Sequence, residues 1–446
     1  MNGFVDIVTL FASPEDRTIE KLSSIYRDKD RLTNEIKQLI DRHIPNEAFK
    51  GKKILLKPNW VKHSGNEQDE ICMRTHDQFL LAALEVILEK KPASVVIGDT
   101  PIQGCNWEKM ISNELVDSVI EFSNQYQIPI KIKDFRRATF DPSKNNPSRE
   151  RSPISEYLIF DLGTASFLEP ISRTDRKLFR VTNYSPDRLA EAHREGVHKY
   201  CITKELFDSD VVISLPKVKT HQKAGISVAL KNLVGLNGDK DYLPHHRLGG
   251  TGFGGDCYPG KNYLRYFSEL ALDQANQKQG KTCYRYWTRL STVLWRISFP
   301  GKYHQLAGDW FGNDTTWRMV LDLNKIALYG NKDGTLSQIP QRIVYSLCDG
   351  IIGGQGDGPL QPQPLPLGII SLTNHSPVND ICMGTLMGFE INKVSLLAAA
   401  FNYSKSDMVE LLLNGETIVI KDLEDLTLKA VLPVGWIDYL KNKHCE

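Results

Sequence analysis

Several absences narrow the chemistry open to this 446-residue chain. Its eight cysteines (Cys72, Cys105, Cys201, Cys257, Cys283, Cys348, Cys382 and Cys445) form no C-x-x-C pair. Zinc ribbons and iron–sulfur clusters depend on such pairs, because one turn must aim two thiolates at one metal. No iron–sulfur cluster is expected. Spaced thiols in a long chain fit a reduced, cytoplasmic protein. Charge of either sign is not in excess: 55 Lys and Arg against 54 Asp and Glu leave a net +1. That argues against nucleic acid as a partner, since general binders rest on surplus cations facing phosphates. No apolar run approaches the roughly 18–20 residues of a transmembrane helix. The longest stretch, "LLAALEVIL", contains Glu85. The opening "MNGFVDIVTLFASPEDR" has no basic n-region and is interrupted by Asp6, so it reads as a strand and not a signal peptide. A P-loop and a correctly spaced dinucleotide fingerprint are both missing, which leaves hydride transfer without a cofactor motif.

What is present is an alternation of strand and helix signals. "KKILLKPNW" reads as a strand, "THDQFLLAALEVILEK" as a helix capped by Thr75, and "ASVVIGDT" as a second strand. The grammar recurs through "NELVDSVIEFSNQYQ", "IPIKI", "SDVVISLPK", "RIVYSLCDG", "LGIISLTN" and "SPVNDICMGTLMG", the last with Ser376 as N-cap. Continuous apolar strands between helices predict an α/β fold: a mostly parallel sheet with helices on both faces. Residues 1–49 form an N-terminal strand and helix, 50–400 the α/β core, and 401–446 C-terminal strands packed on that core. Residues 240–320 break the rhythm as a glycine-rich loop and helical insertion. Residues 136–157 read as a long loop.

Open α/β sheets bind ligands beyond the carboxyl ends of their strands. Here those ends deliver Lys57 and Asn59, Asp99, Lys217 and Lys219, Asp349, and Asn374 with His375. The richest is "SLPKVKTHQKAGISVALKNLVG", residues 214–235. In an extended chain Lys217, Lys219, His221 and Lys223 share one face at roughly 7 Å intervals. Such a row repels itself unless solvated or neutralised by a carboxylate or phosphate. Neighbouring cations depress the His221 pKa and leave a neutral imidazole suited to acid/base work, and a crowded lysine such as Lys219 can become basic in the same way. Helical periodicity from Ile226 places Lys231 on an exposed face. "DGIIGGQGDGP", residues 349–359, reads as a loop in which glycines such as Gly354 and Gly356 present N–H groups to an anion. Asp349 and Asp357 there suit a divalent metal, substrate hydroxyls or a tight acidic turn. His245, His246 and Arg247, ahead of further glycines, fit a lid over an anionic ligand. The segment 284–298 mixes arginines and aromatic residues at helical spacing. It suits packing as a cap, or peripheral membrane contact.

"LLKPNW", "VVIGDT", "LPKVKTHQKAGISVALKNLVG" and "CDGIIGGQGDGP" together resemble domain of unknown function family 362, with "PKxKTH…G…ALKN…G" the most specific part. The resemblance spans about residues 50–400. It implies an α/β fold and one site, onto which Lys57, Asn59, Asp99, Lys217, Lys219, His221, Lys231, Asn232, Asp349 and Asp380 would map. It therefore draws Lys231 and Asn232 into the site against the helical periodicity. Many members carry a ferredoxin-like C-x-x-C-x-x-C segment that this chain lacks. The expectation is an enzyme for a small anionic molecule bearing a carboxylate or phosphate. His221 and Lys219 would be catalytic, Lys57, Asn59, Asp99, Lys217, Lys231, Asn232, Gly354 and Gly356 would bind substrate, and Asp349 with Asp380 would hold a metal. A non-catalytic anion-binding or assembly protein is the alternative, and a redox protein served by an external iron–sulfur partner a further one. Oligomeric state is not addressed by any of these signals.

Overall fold

The computed structural model describes residues 3–63, 67–141, 148–172, 178–298, 307–403 and 409–440. Its frame is a twelve-stranded mixed sheet. In chain order the strands are β1 (Gly3–Thr9), β2 (Lys53–Pro58), β3 (Ser94–Asp99), β4 (Ile130–Asp134), β5 (Val211–Leu215) and β6 (Lys217–His221). They continue with β7 (Gly225–Ser227), β8 (Ile343–Asp357), β9 (Gln361–Leu365), β10 (Ile369–Thr373), β11 (Val409–Leu413) and β12 (Glu416–Thr417). The main order is β12-β11-β1-β10-β8-β5-β2-β3-β4. From β8 to β4 every neighbour is parallel. β6 and β9 attach to the far half of β8, and β7 to β6.

Apolar alternation explains the two covered faces. Ile54 and Leu56 of β2 pack with helices α1 (Ile19–Arg27), α2 (Lys29–His43), α3 (Asp77–Glu89) and α4 (Asn113–Tyr126). Leu55 and Val212 face the opposite way. They meet the helix Thr316–Tyr329, through residues such as Met319 and Leu323. Each fully buried aliphatic side chain contributes roughly 1.5–3 kcal/mol, and burial on both faces is why these strands read as unbroken apolar runs. Asp6, the charge inside β1, is fully buried. It accepts hydrogen bonds from Arg42 (2.5 Å) and His43 (2.8 Å) of α2.

Local expectations are adjusted in five places. The N-cap of α3 is His76, whose Nδ1 accepts the Gln78 N–H; Thr75 instead bonds to Asn59 and Leu215. The glycine-rich stretch 349–357 is not a loop but the second half of β8. β10 runs antiparallel to β8, so its carboxyl end lies at the opposite edge of the sheet from those of β2, β3 and β5. Asn374 accordingly bonds to the Phe4 N–H, and His375 caps the helix Ser376–Leu386 in place of Ser376. The C-terminal part contributes β11 and β12 and then 3-10 turns in place of further strands.

Within 240–320 the chain forms two antiparallel-packed helices, Tyr263–Gln277 and Tyr284–Ser298. Trp287 and Trp295 of the second are half-buried, covered by the Lys278 ammonium and the Arg265 guanidinium. Tyr286, Val293 and Ile297 are exposed. No helix among the described residues is long and apolar enough to cross a membrane.

The helix Ser376–Leu386 is fastened by Asp380 to the short helix Ala229–Asn232. Its two carboxylate oxygens accept the backbone N–H groups of Ala229 and Leu230, both at 2.9 Å, and Asn379 adds a third donor. We expect Asp380→Ala to lower stability by roughly 1–3 kcal/mol for each N–H left without an acceptor. A shifted urea midpoint with unchanged slope would register it; an unshifted midpoint would contradict it.

Candidate functional site

Two buried ion pairs lie near the carboxyl ends of β2, β3 and β5. Lys57, the penultimate residue of β2, donates to Asp99 Oδ1 at 2.7 Å, and both side chains are almost wholly buried. The remaining Asp99 acceptor sites take the N–H groups of Thr100 and Trp60. Burial pushes the Lys57 pKa down and the Asp99 pKa up, and each group opposes that shift in the other. Lys217 makes the second pair, 2.9 Å from Asp349 Oδ2 and 3.0 Å from the Tyr26 hydroxyl. Tyr26 and the His76 N–H complete the Asp349 carboxylate.

An asparagine bridge connects the first pair to the opening stretch. Asn232 accepts from Lys57 Nζ (3.3 Å) and Asn59 Nδ2 (3.1 Å), and donates to Ser214 Oγ (2.8 Å). Lys219 Nζ is held by Asn59 Oδ1 at 2.6 Å and by the Met73 carbonyl. Both acceptors are uncharged. Burial, followed by the Lys217 and Lys231 charges, lowers the Lys219 pKa to about 7.

Beyond these groups lies a cavity of about 130 Å³. Asn59, Asp99, His221, Lys231 and Asn232 line it, together with Lys240 and His245, which arrive from the 240–247 segment. Lys231 and Lys240 reach the cavity without a hydrogen-bond or ion-pair partner among the described residues. Burial is the main cause that lowers their pKa values, to about 7 and about 8. Trp60 Nε1 and Thr100 Oγ1, on two more lining residues, are buried without partners among the described residues. Gly235 forms part of the wall where the backbone passes the Lys57–Asp99 pair. A Cβ there would sit 1.8 Å from Asp99 Oδ1.

The two cavity histidines present opposite hydrogen-bonding faces. His221 Nδ1 accepts the Lys223 N–H at 3.1 Å, so a neutral ring carries its proton on Nε2. His245 Nδ1 lies 2.7 Å from the Leu243 carbonyl, which can only accept, so its Nε2 keeps a lone pair. Burial first, and the surrounding lysines second, hold both rings well below the ordinary histidine pKa.

Residues 173–382 match the family model described as "Domain of unknown function (DUF362)". The chain is similar to the DUF362 family over this segment. A crystal structure of a protein from Thermotoga maritima is similar at 10% identity and a TM-score of 0.35, covering 75% of this chain and 53% of that one. The chain thus spans about half the length of that solved protein. No curated protein matches it.

The DUF362 segment carries Lys217, Lys219, His221, Lys231, Asn232, Asp349 and Asp380, whereas Lys57, Asn59 and Asp99 come from outside it. Lys231 is drawn to the cavity because residues 225–227 are strand β7 and only Ala229–Asn232 are helical, so helical spacing from Ile226 does not apply. The expected cationic row is divided. Lys217 is neutralised by Asp349, Lys219 is tied to uncharged acceptors, and Lys223 pairs with Asp309 at 2.8 Å.

Three expected roles are corrected by these partners. Asp349 and Asp380 each already accept three protein donors, which leaves little room for a metal. Gly354 and Gly356 are strand positions outside the cavity lining. A Cβ on Gly354 would meet Lys219 Cβ at 2.8 Å, and the Gly356 N–H donates to Val431. A neutral His221 offers the cavity an N–H and not the lone pair a general base needs. Sequence reasoning missed Lys240, which sits in "GDKDY" with no motif around it. It placed His245 only in a lid.

Gly235→Ala forces a methyl into the Lys57–Asp99 pair and should cost about 1–3 kcal/mol or more. Thermal unfolding measures this; an unchanged midpoint would show that the backbone has room to withdraw.

Proposed function

We propose that the chain binds a small anionic molecule, carboxylate- or phosphate-bearing, in the cavity between the β2, β3 and β5 ends and the 240–247 segment, and acts on it by proton transfer. The observation that carries this reading is the pair of amino groups, Lys231 and Lys240, that share one cavity and make no hydrogen bond or ion pair among the described residues. Confining two like charges is costly unless a counter-charge joins them. The His221 N–H would add a directed donor to the bound anion. Lys231, with a pKa near 7, divides between its two protonation states at neutral pH and is the preferred proton acceptor. The His245 lone pair is a second, weaker one. Lys57 and Asp99 position Asn59 and Asn232 and do not themselves bind the ligand.

The alternative, a non-catalytic anion-binding protein, is favoured by the fixed His221 tautomer, which suits a ligand-holding donor. Ligand-induced stabilisation without turnover of any carboxylate or phosphate ester would select it. The exposed Tyr286, Val293 and Ile297 are where peripheral contact through 284–298 would be made.

The pH dependence has a definite sign. Lys231 and Lys240 have folded pKa values below the ordinary lysine value, so between about pH 7 and the unfolded value the unfolded chain binds more protons. These groups therefore make the ligand-free protein more stable as pH rises through that window. Anion affinity moves the other way, because the anion selects the ammonium forms: tight below about pH 7, weakening through about pH 8. Calorimetric titration with inorganic phosphate and with small dicarboxylates in buffers of different ionisation enthalpy should show proton uptake at pH 8. Lys231→Met and Lys240→Met should each weaken binding about tenfold or more. Affinity that is indifferent to pH and to both substitutions would sink the proposal.

A further inference from the structure

The glycine-rich segment and the first helix of the insertion meet at a cluster that the anion cavity does not use. His246 lies in a two-residue strand paired with Phe179–Arg180. Cys257 closes the glycine-rich turn, and Glu269 projects from the helix Tyr263–Gln277. Ligand atoms from the three side chains lie within 4.8 Å of one another. All three residues are more than nine-tenths buried.

Two of these side chains leave polar atoms without partners. His246 Nδ1 and Glu269 Oε1 are buried and make no hydrogen bond among the described residues. Cys257 is a free thiol. The second oxygen of Glu269 accepts the Gly249 N–H at 3.0 Å, which orients the carboxylate toward the cluster. Leaving a buried polar group unsatisfied costs roughly 1–3 kcal/mol, so such atoms do not collect at one point in a folded protein without a reason.

We infer that His246, Cys257 and Glu269 form a divalent metal site of zinc-like preference. One nitrogen, one sulfur and one oxygen are the donor types that a borderline-soft, tetrahedral ion accepts. Tetrahedral bonds of about 2.0–2.3 Å place ligand atoms roughly 3.5 Å apart, so side-chain rotations of about an ångström complete the site. A thiolate and a carboxylate balance the charge of a divalent ion, with a water in the fourth position. The Gly249 N–H on Glu269 is the outer contact that such sites use to aim a ligand. The ion would tie three separate pieces of the insertion together: the strand carrying His245 to the cavity, the glycine-rich turn and the helix. The site is independent of the anion-binding reading and stands or falls separately.

The test uses the full chain, stripped with a chelator and checked for retained circular dichroism. Titration with cobalt(II) should saturate at one equivalent, with a thiolate-to-metal band in the near ultraviolet that zinc then abolishes. Zinc should raise the midpoint of thermal unfolding. Cys257→Ser should lose the thiolate band and weaken zinc binding by roughly a hundredfold, and Glu269→Gln should weaken it while keeping the band. If Cys257→Ser fails to fold, the wild-type cobalt titration and zinc-dependent midpoint decide alone. A folded wild-type chain that shows no cobalt band and no zinc-dependent shift overturns the assignment. So does a folded Cys257→Ser chain that keeps the band.

Discussion

The Lys57–Asp99 ion pair is the interaction on which the rest of the site depends. It joins the ends of β2 and β3, receives the backbone donors of Trp60 and Thr100, and shares Lys57 with Asn232. Removing one partner of such a buried pair strands the other charge and typically costs 3–5 kcal/mol. The pair also dictates its surroundings. Gly235 is glycine because the chain runs against Asp99 Oδ1, and that same close passage brings the wall of the cavity to within reach of Lys231 and Lys240.

Seen chemically, the lysines fall into two groups with opposite duties. Lys57 and Lys217 are neutralised by carboxylates and hold strands in register. Lys231 and Lys240 make no ion pair among the described residues, and Lys219 stands between the groups with neutral acceptors only. Desolvation acts on all five, but it brings the pKa close to neutrality where no carboxylate hydrogen-bonds the ammonium directly. A cavity built in this way has its scaffold charges fixed and its working charges adjustable.

Much of the fold was legible because the apolar strands are buried on both faces and so stand out against amphipathic helices. The positions of Lys57, Asn59, Asp99 and His221 followed from strand ends in parallel order. Where the reading went astray, a non-local contact overrode a local pattern. The 349–357 glycines resemble a loop, yet they lie in a strand because β6 and β9 pair with it and a Cβ at Gly354 would crowd Lys219. Asn374 and His375 also follow an apolar strand, but β10 is antiparallel, a direction its own residues do not encode. Lys240 could not be singled out because nothing near it in the chain reports the fold-back that carries it to the cavity.

The sequence distances bridged by these contacts bear on how the protein comes off the ribosome. Lys57 meets Asp99 after 42 residues, but Asn232 only after 175; Lys217 waits 132 residues for Asp349, and Ala229 waits 151 for Asp380. During synthesis, which proceeds from the N-terminus at a finite rate, these lysines must remain hydrated until their partners have emerged. Burying them earlier would desolvate unpaired charge. The polar centre is therefore among the last parts to close, and a nascent chain ending before Asp349 carries Lys217 still in water.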